Sequence, residues 1–276
     1  MKKLAFSLIS FSFLFGYSPI KENNRVDSGK LKFKVANAVR TEEPPKIDGD
    51  INDEVWSKAL LVKEFLQNEP YNLEAPTIET EVRVLYDDDN LYIAYNNIDP
   101  NPDKIMARRT RRDDWMAGFE FNSDWVGFGI DSRNDDKTGY WFAVNAAEVQ
   151  VDVAISGDGY GGFDGTWNAV WDSKVQFNDQ GWSVEVRVPF NVFQYSKTKV
   201  QEWGVTFQRA HFEKQEEVNW PGRAKGVRGI VPHFGILKGI ENIPQPNNVE
   251  LVPYLLAGQT KTNENESIEN IGLDTR

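Results

Sequence analysis

At 276 residues, with 40% hydrophobic and 26% charged residues, the chain is long enough for one large domain or two small ones and too apolar to be disordered throughout. A formal charge of −11, from 31 Lys plus Arg against 42 Asp plus Glu, argues against a general nucleic-acid binder, which needs a basic surface to displace phosphate counterions. Cysteine is absent and His occurs twice, which removes disulfides, thiolate metal sites and cysteine nucleophiles and leaves little for a histidine centre.

Lys2 and Lys3 precede an apolar run over residues 4–15, interrupted only by serines. A charged start followed by so short a run predicts a signal peptide over residues 1–18, cleaved near Gly16 to Ser18, and not a membrane span. Residues 19–34 are polar and read as a linker. Export of a cysteine-free chain predicts a bacterial periplasm, outer membrane or cell surface as its location. No later stretch is apolar enough for a transmembrane helix.

Beyond the linker, period-two alternation dominates, and 13% aromatic residues with 21 Gly suit an all-β sandwich. A short helical segment is expected around Glu54 to Leu60. Val82, Val84 and Tyr86 then alternate, Asp87 to Asn90 supply a turn, and Leu91, Ile93 and Tyr95 resume the alternation, which predicts a hairpin. Val126, Phe128 and Ile130 share a face, and Tyr140, Phe142 and Val144 form the expected partner strand. Val149, Val151, Val153 and Ile155 continue the pattern. Trp182, Val184, Val186 and Val188 point inward, with Ser183, Glu185 and Arg187 expected to face water. A second short helical segment is expected near Phe190 to Tyr195. Strands at Trp203 to Phe207 and Phe234 to Leu237 follow. After Pro244 and Pro246, Val249 to Gly258 reads as one extended segment with no partner, before a polar tail. Residues 243–276 are therefore expected to begin a C-terminal region, such as the first strand of a membrane barrel.

The order of these blocks resembles the family-9 carbohydrate-binding modules. Ile47-Asp48-Gly49-Asp50 with Glu54-Val55-Trp56 and Ala59 matches the family's opening, Trp56 being expected to plug one end of the sandwich. Further matches are Glu81 to Asp87, Asn90 to Ala94, Asp124 to Asp131, Phe142 to Asn145, Gly181 to Phe190, Trp203-Gly204-Val205 and Phe234-Gly235. The resemblance covers 35–242 and implies an antiparallel β-sandwich with jelly-roll or immunoglobulin-like layers and one or two short helical segments. It implies a sugar clamped between two aromatic rings, at Trp220 and at Phe121 or Trp115, with oligo- or polysaccharide as partner. The family's acidic and basic sugar ligands fall at Gly127 and Ala143, which cannot make those bonds. The whole chain is also similar to the front of larger bacterial envelope proteins, whose C-terminal region resembles an outer-membrane barrel; that implies outer-membrane association.

Arg108, Arg109, Arg111 and Arg112 beside Asp113 and Asp114 could hold an anionic sugar through bidentate contacts, or form a solvated loop with internal ion pairs. The candidate carbohydrate-binding set is thus Trp115, Phe121, Trp220, Arg109 and Arg112, with no catalytic residue. Trp167 and Trp171 could shape a groove, although Trp171 fits a core strand better. No cofactor is expected. Structural calcium at Asp87, Asp88 and Asp89 is the one alternative, and a hairpin turn explains the same residues. His211 and His233 have no companion ligands in sequence, and Gly157 to Gly162 lack a phosphate-loop context. No Gly-x-Ser-x-Gly, His-Glu-x-x-His or Ser/His/Asp pattern occurs, while two carboxylates for glycoside hydrolysis are available in any acidic chain. The reading is a non-catalytic carbohydrate-binding domain of an exported protein associated with O-glycosyl hydrolysis in polysaccharide breakdown. The alternative is a periplasmic structural or interaction domain without a sugar site.

Overall fold

The computed structural model describes residues 34–120, 122–159 and 162–244, together with the backbone of strands 251–261 and 265–275. The segments read as signal peptide and linker lie outside these residues, apart from Lys34.

Two sheets face each other. The five-stranded sheet has the order β10 (Asp172–Asn178), β11 (Gly181–Pro189), β5 (Asn90–Ile98), β4 (Thr80–Tyr86), β2 (Val39–Arg40). The nine-stranded sheet runs β1 (Val35–Asn37), β14 (Gly235–Lys238), β12 (Trp203–His211), β6 (Trp125–Asp131), β7 (Gly139–Asn145), β8 (Gln150–Ile155), β9 (Phe163–Asp164). On it β13 (Glu216–Trp220) pairs with both β12 and β3 (Leu66–Glu69). Pairing is antiparallel throughout, save for β1 with β14 and β2 with β4. Between the sheets lies one large core, with Val82, Val84, Ile93, Val184 and Val186 from one side and Val126, Phe128, Phe142, Val205 and Phe207 from the other. Tyr95 crosses it, donating its hydroxyl to the Gly127 carbonyl at 2.6 Å. The alternation of apolar residues predicted these inward faces, and the β4–β5 hairpin closes at Tyr86↔Leu91 as its Asp-rich turn requires.

The outward faces differ from expectation. Ser183 and Glu185 do not face water; they are 2% and 0% exposed. The segment from Ile47 through the 3-10 turn Glu54–Lys58 folds over them, and Trp56 packs with Leu85, Tyr92 and Ala94 on the outer face of the five-stranded sheet instead of at one end. The Glu185 carboxylate accepts from Trp56 Nε1 at 2.7 Å, Gly49 N at 2.7 Å and Asp48 N at 2.9 Å. Gly49 is required twice over: its φ is +91°, and a Cβ there would sit 2.9 Å from the Gln176 backbone. Alternation read from β11 alone cannot reveal a covering layer supplied 130 residues earlier in the chain.

Residues 244–276 form a second compact unit. The expected lone strand has a partner: β15 (Leu251–Lys261) pairs with β16 (Asn265–Thr275), in register from Leu251↔Thr275 to Lys261↔Asn265. The tail's polarity hid this strand, because ladder hydrogen bonds are made by the backbone whatever the side chains are.

Two consequences follow for stability. Val186→Asp buries an unpaired carboxylate in the core and is expected to cost about 3 kcal/mol or more. Ser183→Asp is expected to cost roughly 1–3 kcal/mol, because the Ser183 hydroxyl bonds Gly49 O in a closed space; urea denaturation measures both, and a silent Ser183→Asp would refute the covering layer. Burial pushes the Glu185 carboxyl above its usual range, against the pull of its Trp56 and backbone donors. A raised folded-state value means that Glu185 contributes most below the unfolded-state range and loses that contribution as pH rises through the folded value. Melting temperatures of Glu185→Gln and the wild type should therefore diverge in pH dependence across that window; parallel profiles would refute the assignment.

Candidate functional site

The outer face of the nine-stranded sheet carries Gly127, Ala143 and Trp115, three of the positions that the resemblance singles out. One transverse row crosses five strands, reading Val151, Ala143, Gly127, Gln208, Asn219 from β8 to β13. The row is apolar at one end and polar at the other, and the two ends have different covers.

At the apolar end the short helix α1 (Trp115–Gly118) lays Trp115 onto the sheet. Its ring stacks on Phe119 at 5.4 Å and meets Trp125 and Trp141 edge-on at 5.2 and 5.1 Å. The cluster closes over Ala143 and Val151. Gly127 explains why: a Cβ there would lie 3.0 Å from the Trp141 ring and 3.3 Å from that of Trp125. Gly127 and Ala143 are thus roofed by indoles, and any side chain at Gly127 would crowd them.

At the polar end a groove opens between this cluster and the segment 221–234. Thr206, Gln208 and Asn219 form its floor, and Pro221, Arg223, Ile230, His233 and Phe234 form its wall. Its volume is about 50 Å³, enough for the edge of a small ring and well under the ~300–1,000 Å³ of a pocket that engulfs its ligand. Trp141 does not line the groove; it is half-buried, packs against the cluster of Ile155, Val231 and Phe234, and donates its indole N–H to Gln208 Oε1 on the groove floor at 2.7 Å. Asn219 Oδ1 is buried and accepts no hydrogen bond from the described residues. Burial pushes Arg223 below its usual value, opposed by Glu217, and raises Glu217, opposed by its bond from Asn68.

The predicted residues separate. Trp220 is a correction: it is 3% exposed and lies on the core side of β13, opposite Phe207 in the register, its ring 5.7 Å from that of Phe207 and packed on Gly235. It has no open face for a sugar. Trp115 is on the expected surface, but as part of the indole roof. Phe121 lies outside the described residues. Arg112 is also corrected, since its guanidinium bonds Gln150, the Ala169 carbonyl and Asp152, whose side chain is fully buried. It neutralises an interior charge. Arg109 is exposed and lines a different groove, at the edge of the sandwich. Trp171 is core, as its strand context suggested. Gln208, Asn219 and Trp141 were missed, because alternation placed Gln208 and Trp141 only as outward residues and β13 was not foreseen.

His211 does have companions. Its Nε2 lies 2.9 Å from Asp99 Oδ2, and Asp99, Asp124 and His211 bring ligand atoms within 4.8 Å of one another. The cation serving them is protein-borne: Arg209, wholly buried, approaches Asp99 Oδ2 at 3.8 Å, and burial pushes its value down to about 10 against the pull of Asp124 and Asp99. A metal ion there would face a guanidinium at contact range. Asp87 is engaged in its turn, accepting from Asp89 N, Asn90 N and Tyr92 Oη, and Asp88 pairs with Arg40.

Trp220→Ala should cost about 3–5 kcal/mol in chemical denaturation, as a large buried aromatic does, while Trp115→Ala should cost less because Trp115 is only partly buried. Equal and small effects would show that Trp220 is not core.

The comparisons with known proteins agree with this fold. No curated protein matches the chain in sequence. A carbohydrate-binding module of family 9 from Caldicellulosiruptor kristjanssonii, solved with glucose, is similar at 14% identity and a TM-score of 0.54, covering 78% of this chain and 98% of its own. The module from the same organism solved with cellotriose gives 15% identity, a TM-score of 0.54 and coverage of 78% and 96%. A Bacteroides uniformis protein described as carbohydrate-binding gives 10% identity, a TM-score of 0.57 and coverage of 74% and 98%. These likenesses concern the fold. The family model described as carbohydrate family 9 binding domain-like matches residues 47–221, more than half of the chain, and the chain belongs to that family.

Proposed function

We propose that this domain binds carbohydrate without cleaving it, and that the sugar lies on the outer face of the nine-stranded sheet, at the polar end of the row. Gln208, Asn219 and Arg223, which line the groove, offer planar partners to sugar hydroxyls, and the exposed part of Trp141, bonded to Gln208 beside it, meets the apolar C–H face. The observation that carries this reading is Asn219 Oδ1, a buried acceptor without a protein donor, on the floor of that groove. An unmet buried acceptor costs free energy that a ligand hydroxyl would recover. The groove's small volume means that one edge of a sugar is held, so binding is shallow.

The wider setting is part of the same proposal. The lysine-flanked apolar start supports export, and the family supports service to polysaccharide breakdown beside a hydrolase. The eleven-residue strands of the C-terminal hairpin are of barrel-strand length, which supports an outer-membrane protein as the larger context. A second reading, a periplasmic structural domain with no sugar site, is favoured by the indole roof over Gly127 and Ala143.

Titration with a panel including glucose and cellotriose separates the two readings. Saturable binding that Trp141→Ala and Gln208→Ala each weaken by roughly 1–3 kcal/mol is expected. No saturable binding by any member of the panel rejects the first reading in favour of the second.

A further inference from the structure

β10 is the outermost strand of its sheet, so its core-side residues meet the facing sheet on one flank and open space on the other. Phe177 is opposite Trp182 in the register and therefore on the core side, yet it is 51% exposed. Facing it are the turn between β7 and β8 and the loop that carries Arg109 and Thr110. An ion pair between Lys174 on β10 and Glu148 in that turn ties the two walls together. The groove they enclose is about 580 Å³, within the ~300–1,000 Å³ of ligand pockets and far larger than the outer-face groove.

Its chemistry is one-signed. Glu148 is already matched by Lys174, while Arg109 is exposed and, among the described residues, has no carboxylate or carbonyl partner. Arg108 and Arg111 flank it on the same exposed loop, in a chain whose overall charge is −11. An unmatched guanidinium and an open aromatic ring lining one groove supply a fork for a carboxylate and a platform for a C–H face.

We propose that this edge groove is a second saccharide subsite, selective for a sugar that carries a carboxylate, with Phe177 as the stacking ring and Arg109 as the carboxylate's partner. The ligand class rests on the carbohydrate reading above. The site itself shares no residue with the outer-face groove.

The test titrates the full chain with a uronic-acid trisaccharide and, separately, with neutral cellotriose. Saturable binding of the acidic sugar is expected, weakened at least tenfold by Arg109→Gln and by Phe177→Leu, and weakened again by raised salt. Phe177→Leu keeps an apolar side chain, and circular dichroism verifies that each variant is folded. Acidic-sugar binding that survives both substitutions, or no such binding while cellotriose saturates, overturns this inference alone. Failure of both sugars overturns the outer-face reading with it. Arg109-dependent binding of an acidic peptide in place of the sugar also overturns it, in favour of a partner strand on the β10 edge.

Discussion

The buried carboxylate of Glu185 fixes how the five-stranded sheet is finished. A charged group with no exposure survives only when its lone pairs are met, and Glu185 meets three donors brought by the segment around Gly49 and Trp56. The segment's own sequence makes this possible. Gly49 takes a left-handed φ and clears the Gln176 backbone, which turns two consecutive N–H groups onto one oxygen. With that layer in place, Leu85, Tyr92 and Ala94 are buried on the outer face while Val84, Ile93 and Tyr95 fill the core. Both faces of β5 are therefore closed, and the sandwich has three apolar layers where two sheets alone would give one.

The nine-stranded sheet solves the same problem with aromatic rings. Gly127 leaves space for Trp125 and Trp141 on its outer side, and its carbonyl receives the Tyr95 hydroxyl from across the core. The indole roof stops at Gln208, where polar residues take over and a small groove opens onto the sheet.

Two interior carboxylates elsewhere are matched by arginine. Asp152 takes Arg112, Trp171 Nε1 and Ala169 N, and Asp99 takes Arg209 and His211. Such pairs offset the cost of burying a charge more than they add stability, and removing either member would leave the other uncompensated. Arginines consumed in this way are not available to ligands. Among those of the loop before α1, Arg112 is partly exposed but bonds the buried Asp152, while Arg109 is exposed without an ion pair among the described residues, a division that no spacing rule predicts because Asp152 comes from a distant strand.

Sequence by itself determined the inward faces of β4, β5, β6, β7 and β11, since alternation of large apolar residues has one burial solution in a sheet. It also determined the Asp87 turn and, through collinear blocks, the family. Tertiary structure alone decided which outward faces are covered. Ser183 and Glu185 read as solvated because polar residues alternating with valine usually are, and only the fold brings Gly49 and Trp56 onto them. Trp220 read as a loop aromatic because β13 has weak alternation, and only its register opposite Phe207 sends the ring into the core. The groove at Gln208 and Asn219 joins residues of two paired strands, and the one at Arg109 and Phe177 joins three segments. Alternation along a strand encodes the side that a residue faces; what stands on that side is set by contacts between residues far apart in the chain.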